Sequence, residues 1–341
     1  MSHPIDTSNL RQVILETPEQ FAAGLKLSEH IQLSGTYDTV MFSGMGGSAL
    51  PADLLRTYLN DITVRFPAVT PIQILQNRTY GLPPRVGGKV LHFVCSYSGN
   101  TEETLETLAA LIESGAPTIG VSAGGKLEEI CREHGIQHIK LPIPNPTFQP
   151  RMGTGYFIGA FLQVFITLGM IPDVREEVLT AVGCYGKRRF EIEEKGKKLA
   201  VWLAKTTPIV YSGESYKSVA LVWKIKLNEN AKTPAFWNVF PELNHNEMVG
   251  WTLPQGKFSA LFLRDPDEHP RLGKRFGITA ELLREKGVAV EIIDLEGTTV
   301  FEKMFSSVML GDFASYYLAL EYGQDPTPVD MVEKLKKLLL D

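Results

Sequence analysis

Val94-Cys-Ser-Tyr-Ser-Gly-Asn-Thr-Glu-Glu-Thr104 joins two kinds of sequence. Ahead of its polar part, Val90-Leu-His-Phe-Val-Cys95 has the composition of a buried strand; behind it, Glu102 to Ile112 carries helical spacing. A strand therefore turns directly into a helix. The turn holds the hydroxyls of Ser96, Ser98 and Thr101, the carboxamide of Asn100, and Gly99, which is free to take a positive φ. Unpaired N–H groups at a helix start carry partial positive charge, so these donors converge where a phosphate-sized anion would sit. Helix capping by Ser98 or Asn100 is the plainer alternative. Three hydroxyls and a glycine in one turn favour the anion site.

Outward from this turn, strand-like and helix-like runs alternate. Residues 9–33 predict a helix, Thr39–Ser43 a strand, Ala49–Leu59 a helix, and Ile72–Leu75 a strand. After Val90–Cys95 come a strand at Thr118–Ser122, a helix at Leu127–His134 and a strand at His138–Leu141. Such alternation predicts an α/β fold with a doubly wound parallel sheet covered on both faces. Pro142 to Pro150 holds four prolines in nine residues and predicts a linker. The later half repeats the plan: Val40-Met-Phe-Ser-Gly44 and Ile209-Val-Tyr-Ser-Gly213 are each followed by a serine-bearing loop and an apolar helix. Two domains, 1–150 and 151–341, are the expectation.

Composition narrows the function. A chain of 341 residues, 44% hydrophobic, can bury large cores, and a net charge of -5 argues against a nucleic-acid partner held by phosphate neutralisation. Three scattered cysteines with no CxxC pair, and no histidine at zinc-ligand spacing, predict a reducing cytoplasm and no metal. No apolar run approaches the ~18 residues of a membrane span, and no signal region opens the chain.

A second glycine-rich turn, Ser43-Gly-Met-Gly-Gly-Ser-Ala49, again lies between strand and helix. Its Gly-x-Gly-x-x-Ala spacing matches the dinucleotide fingerprint, so a nicotinamide dehydrogenase is one alternative. The acidic partner expected ~20 residues on is missing, since no Asp or Glu occurs between Ile62 and Thr101. The preferred reading is that Gly46, Gly47 and Ser48 let the backbone approach a sugar or phosphate.

These two turns, together with Asn228-Glu-Asn-Ala-Lys232 and Pro241-Glu-Leu-Asn-His-Asn-Glu-Met-Val-Gly-Trp251, resemble the sugar isomerase (SIS) domain family. More narrowly they are similar to its bifunctional phosphoglucose/phosphomannose isomerases. The resemblance implies two flavodoxin-like SIS domains, each a three-layer sandwich, and conversion of an aldose phosphate to a ketose phosphate without a cofactor. It implies that Glu229 shuttles the proton, that His245 opens the ring from the neighbouring subunit of a homodimer, and that Arg151 stabilises the enediolate. Lys334 would assist ring opening, Thr327 would make room for the mannose epimer, and Ser48, Ser96, Ser98 and Thr101 would hold the phosphate. Lys336 rivals Lys334; on a helix the two point roughly 200° apart. Glu242 and Glu247 rival Glu229. A sugar-phosphate sensor, or an isomerase of another phosphosugar, stays open at this level.

Overall fold

Strands and helices alternate along the chain, which divides into a unit of Glu16–Cys184 and a unit of Tyr185–Asp341 with Met1–Leu15. The computed structural model describes residues 3–83 and 89–339. The helix predicted over 9–33 is two shorter ones, α1 (Leu10–Leu15) and α2 (Thr17–Leu27). Pro18, in the first turn of α2, has no N–H to donate and its ring clashes with the carbonyl four residues back, so one continuous ladder cannot form.

The Glu16–Cys184 unit continues through β1 (Thr39–Gly44), α3 (Leu50–Arg65), β2 (Gln73–Asn77), β3 (Val90–Cys95), α4 (Glu102–Ser114), β4 (Thr118–Ser122), α5 (Gly125–Glu133) and β5 (Gln137–Lys140). All five strands are parallel, in the order β2-β1-β3-β4-β5. β3 is buried along its whole length, and its pleat sends alternate side chains to opposite layers. Val94 packs with Leu108, Leu111, Leu127 and Cys131 from α4 and α5. Phe93, one residue earlier, meets Phe42 and Phe161 with ring centroids 5.0 Å away in each case.

Phe161 comes from α6 (Thr154–Thr167), apolar nearly all round and buried. The proline-rich stretch before it forms only turns and a 3-10 turn at Pro150–Met152. A boundary at residue 150 therefore differs from the observed division, because α6 supplies the aromatic wall of the first sheet. The division falls within α7 (Arg175–Lys187), a helix that the sequence reading passed over. Its buried Val178, Ala181, Val182 and Tyr185 do have helical spacing; the Arg-Glu-Glu start and Gly183 obscure it.

The later unit holds α8 (Arg189–Leu203), β6 (Thr207–Gly213), α9 (Lys217–Glu229), β7 (Phe236–Phe240), α10 (Glu247–Gly250), β8 (Phe258–Arg264), α11 (Pro270–Glu285), β9 (Ala289–Asp294), α12 (Val300–Glu321) and α13 (Asp330–Leu338). Its parallel sheet runs β7-β6-β8-β9. This is the order of the first sheet with the last strand missing, so the repeat seen in sequence is a repeat of topology. β7 was not expected: it is a half-exposed edge strand with Asn238 at its centre, lacking the continuous apolar run of a buried one. One face of this sheet buries Tyr211, Phe240 and Phe262 against Phe276, Ala280 and Leu283 of α11. Trp223 and Trp251 are core residues here.

His92, in the middle of β3, is 1% exposed and its Nδ1 has no hydrogen-bond partner among the described residues. Burial lowers its pKa to about 4, and burial also lowers that of half-buried His138 to about 4. The unfolded chain, with histidines near ~6.5, takes these protons first. Stability from a neutral His92 is thus fully present above pH ~6.5 and is lost as the pH falls towards 4, by about 3 kcal/mol in all. Urea unfolding at pH 7.5 and 4.5 is expected to show this loss, and His92→Leu to remove its His92 share. An equal acid loss in both proteins would sink the assignment.

Candidate active site

Parallel pairing of β1 with β3 puts Gly44 opposite Cys95, so both polar turns leave the sheet side by side. This is also where strand order reverses, with β2 on one side and β4 on the other, the place where open α/β sheets bind ligands. Ser48 Oγ accepts from the Tyr97 N–H at 3.0 Å, which ties the two turns together. Ser96 Oγ and Thr101 Oγ1 lie 2.9 Å apart. Ser48 and Ser96 are buried, Thr101 half-buried, and Ser98 exposed on the same turn with its Oγ accepting from the Asn100 N–H at 3.3 Å. Gly99, at φ +70, lies under the Gly124 carbonyl, which a side chain there would strike.

Neither Ser98 nor Asn100 is the N-cap of α4. Thr101 is the N-cap of α4 and makes no side-chain cap bond, while Asn100 Oδ1 accepts from the Lys126 N–H at 3.1 Å. The first turn of α4 thus presents its N–H groups beside two adjacent hydroxyls. Gly46, at φ +50, has open space where a side chain would be, but Gly47 does not. A Cβ on Gly47 would lie 2.5 Å from the Arg151 nitrogen. Its missing side chain makes room for the Pro150–Arg151 backbone, a different use from the ligand approach expected. Arg151 itself is 1% exposed, and its Nη1 donates to Gln149 Oε1 at 3.2 Å.

Nothing here suits a dinucleotide ribose. β2 ends at Asn77, whose Nδ2 donates to the Gly81 carbonyl at 2.7 Å and Thr107 Oγ1 at 3.2 Å, and the next residue, Arg78, pairs with Asp53. The acid of the dinucleotide fold belongs at that strand end, and it is absent.

In the later unit, α9 ends at half-buried Glu229. The neighbouring positions are pinned: Lys226 pairs with Asp312 of α12 at 2.7 Å, both side chains 2% exposed, and Asn230 Nδ2 donates to Ser315 Oγ at 3.0 Å. Residues 226 and 230 share one helix face, so Glu229 is held at the rim of a buried polar seam. The sequence reading missed this support, although a lysine on the otherwise apolar face of α9 was its signal. Buried Thr327 donates its N–H to Asp325 Oδ1 at 2.9 Å, and Asp325 Oδ2 accepts from Thr7 Oγ1 at 2.6 Å.

The second switch point, between β6 and β8, is furnished differently. The Glu268 carboxylate lies against Gly213, and burial raises its pKa. Lys303 donates to Asp265 at 2.6 Å and to Asp267 at 2.5 Å. An own-chain carboxylate stands there, in place of a hydroxyl cradle.

Residues 192–339 match the model of the bacterial phospho-glucose isomerase C-terminal SIS domain. A bifunctional phosphoglucose/phosphomannose isomerase of Caldicellulosiruptor bescii is 36% identical, covering 96% of this chain and 98% of that one. The chain belongs to this isomerase family. Another member, from Aquifex aeolicus, is 33% identical over 89% of this chain and 91% of its own length. The fold is also that of the C-terminal domain of glucosamine-fructose-6-phosphate aminotransferase from Francisella tularensis, with a TM-score of 0.69, 13% identity and coverage of 93% and 97%.

Within this isomerase, Gly46, Gly47, Ser48, Ser96, Ser98, Thr101 and Arg151 lie in the Glu16–Cys184 unit, and Glu229, His245, Thr327 and Lys334 in the other. Both carboxylate oxygens of Glu247 are occupied, by the Tyr211 hydroxyl and by Asn238 Nδ2. Glu242 Oε1 accepts from Asn246 Nδ2 at 2.7 Å. These contacts make the two rival glutamates the frame of the His245 loop. His245 is exposed at the end of the Glu242–His245 3-10 turn. α13 is exposed throughout; Lys336 pairs with Glu333 at 2.7 Å, whereas Lys334 has no such partner among the described residues. No helix is long and apolar enough to cross a membrane, and no three His, Cys, Asp or Glu residues are grouped to hold a metal, among the described residues.

Proposed function

We propose that this protein is a metal-independent aldose-ketose isomerase interconverting glucose 6-phosphate and mannose 6-phosphate with fructose 6-phosphate. The observation that carries this reading is the 36% identity to a bifunctional phosphoglucose/phosphomannose isomerase along almost the whole of both chains. The hydroxyls of Ser48, Ser96, Ser98 and Thr101, with the N–H groups opening α4, receive the phosphate; Gly46 keeps that turn open, and Gly47 serves the site by letting the Pro150–Arg151 backbone pack beside it. Binding energy from this remote group holds carbons 1 and 2 in register with the proton-transfer group. His245, contributed by the neighbouring subunit of a homodimer, and Lys334 open the ring. Glu229 takes the proton from carbon 2 and returns it to carbon 1, through an enediol whose developing charge Arg151 balances. Thr327 leaves room for either configuration at carbon 2. The setting is the cytoplasm.

A coupled assay with EDTA present tests this, each aldose phosphate being supplied in turn and fructose 6-phosphate detected. Turnover of both, at an ordinary kcat on the order of 1–10³ s⁻¹, is expected. Binding of either sugar without turnover would instead point to a sensor or to another phosphosugar. A monomer fully active at low concentration would remove the shared His245.

A further inference from the structure

Beyond α9 the chain reaches Lys232 with φ +58, a left-handed conformation rare for a lysine. That turn brings its ammonium back over the end of α9. Nζ donates to the Glu229 carbonyl at 2.5 Å, to the Pro326 carbonyl at 3.2 Å and to the Pro328 carbonyl at 2.5 Å. An ammonium has three N–H donors, and here three carbonyls receive them. One belongs to the residue assigned as the base; the other two flank Thr327. A cation at a helix C-terminus is also favoured by the dipole, and it satisfies a carbonyl that the helix leaves unpaired.

We infer that Lys232 is a positioning residue: it clasps the Thr327 loop to the end of the base-bearing helix and so governs how well the enzyme uses the two carbon 2 epimers. This rests on the roles proposed above for Glu229 and Thr327. Upstream of Thr327, Asp325 binds the Thr327 N–H and Thr7. Lys232 grips both sides and joins them to the main chain of Glu229. Proline at 326 and 328 fixes φ on either side, so the short segment moves as one piece when released. A shift of the threonine relative to the base alters the fit of the epimer whose 2-hydroxyl it accommodates more than that of the other.

The test compares wild type, Lys232→Met and Lys232→Arg. Methionine keeps the stem and removes every donor, whereas a guanidinium can still serve several carbonyls. For Lys232→Met, kcat/KM with mannose 6-phosphate is expected to fall about 10-fold relative to glucose 6-phosphate, as a misplacement well under 1 Å would cause, and Lys232→Arg to restore most of the ratio. Hydrogen exchange at the Thr327 and Val329 amides is expected to quicken in Lys232→Met. An unchanged epimer ratio, or a loss equal for both sugars, overturns the inference. Unchanged exchange overturns it too, even if the wild type turns over neither sugar. That inactivity, with quickened exchange in Lys232→Met, would fail the isomerase reading while leaving the clasp intact.

Discussion

Glu229→Gln is expected to lower kcat for both aldose phosphates on the order of 10³-fold, about 4 kcal/mol of barrier, because positioned general bases contribute in that range. KM should change little, since the amide keeps the shape of the carboxylate and phosphate binding lies elsewhere in the proposal. The fold should not suffer. Asn228 Nδ2 holds the Thr233 carbonyl at 2.9 Å, Asn230 holds Ser315, and Lys226 with Asp312 anchors the turn below, so the helix end keeps these three anchors in the variant. A carboxylate at a helix C-terminus is opposed by the dipole, and its neutralisation should leave stability unchanged or raise it by about 0.5 kcal/mol. Lost turnover beside an equal or higher melting temperature is the signature to look for. Retention of more than a tenth of kcat would move the proton transfer off this residue, and a fall in melting temperature with unchanged kcat would make Glu229 structural.

Buried strands and hydroxyl-rich turns were legible because local chemistry decided them. Val90–Cys95 has one apolar composition and one place to go, and the six-residue turn after it can hardly be anything else. Glu229, by contrast, could not be ranked above Glu242 and Glu247 from residue type. The surroundings of Glu247 are tertiary and equally out of reach of the sequence: Tyr211 and Asn238 come from two different strands to occupy it. α7 and β7 escaped because one hides its apolar stripe behind charges and the other lies at a sheet edge. The division of the chain was displaced for a similar reason. Proline density marks where regular structure stops, but only packing reveals that the helix beyond the prolines closes the core of the sheet before them.

Gly47→Ala carries the second large effect. In sequence Gly46 and Gly47 look alike, as room for a ligand. In the fold, a Cβ on Gly47 would stand 2.5 Å from the Arg151 nitrogen, 2.8 Å from the Pro150 carbonyl carbon and 2.9 Å from the Arg151 Cα. All three are backbone atoms, so no rotamer change relieves the clash and the Pro150–Met152 turn itself must retreat. A stability loss of about 1–3 kcal/mol is expected from such overpacking. The larger consequence falls on Arg151, whose buried guanidinium is aimed by that turn. A displacement near 1 Å costs about 10²-fold in rate when charge must be met as it develops, so kcat should fall by about that factor for both sugars. Because the harm passes through Arg151, it should not add to the loss of that side chain: Gly47→Ala combined with Arg151→Ala is expected to be no slower than Arg151→Ala alone. Losses that multiply in the double variant would mean that Gly47 acts on the substrate by its own contact, and the sequence-level view of this glycine would then be the correct one.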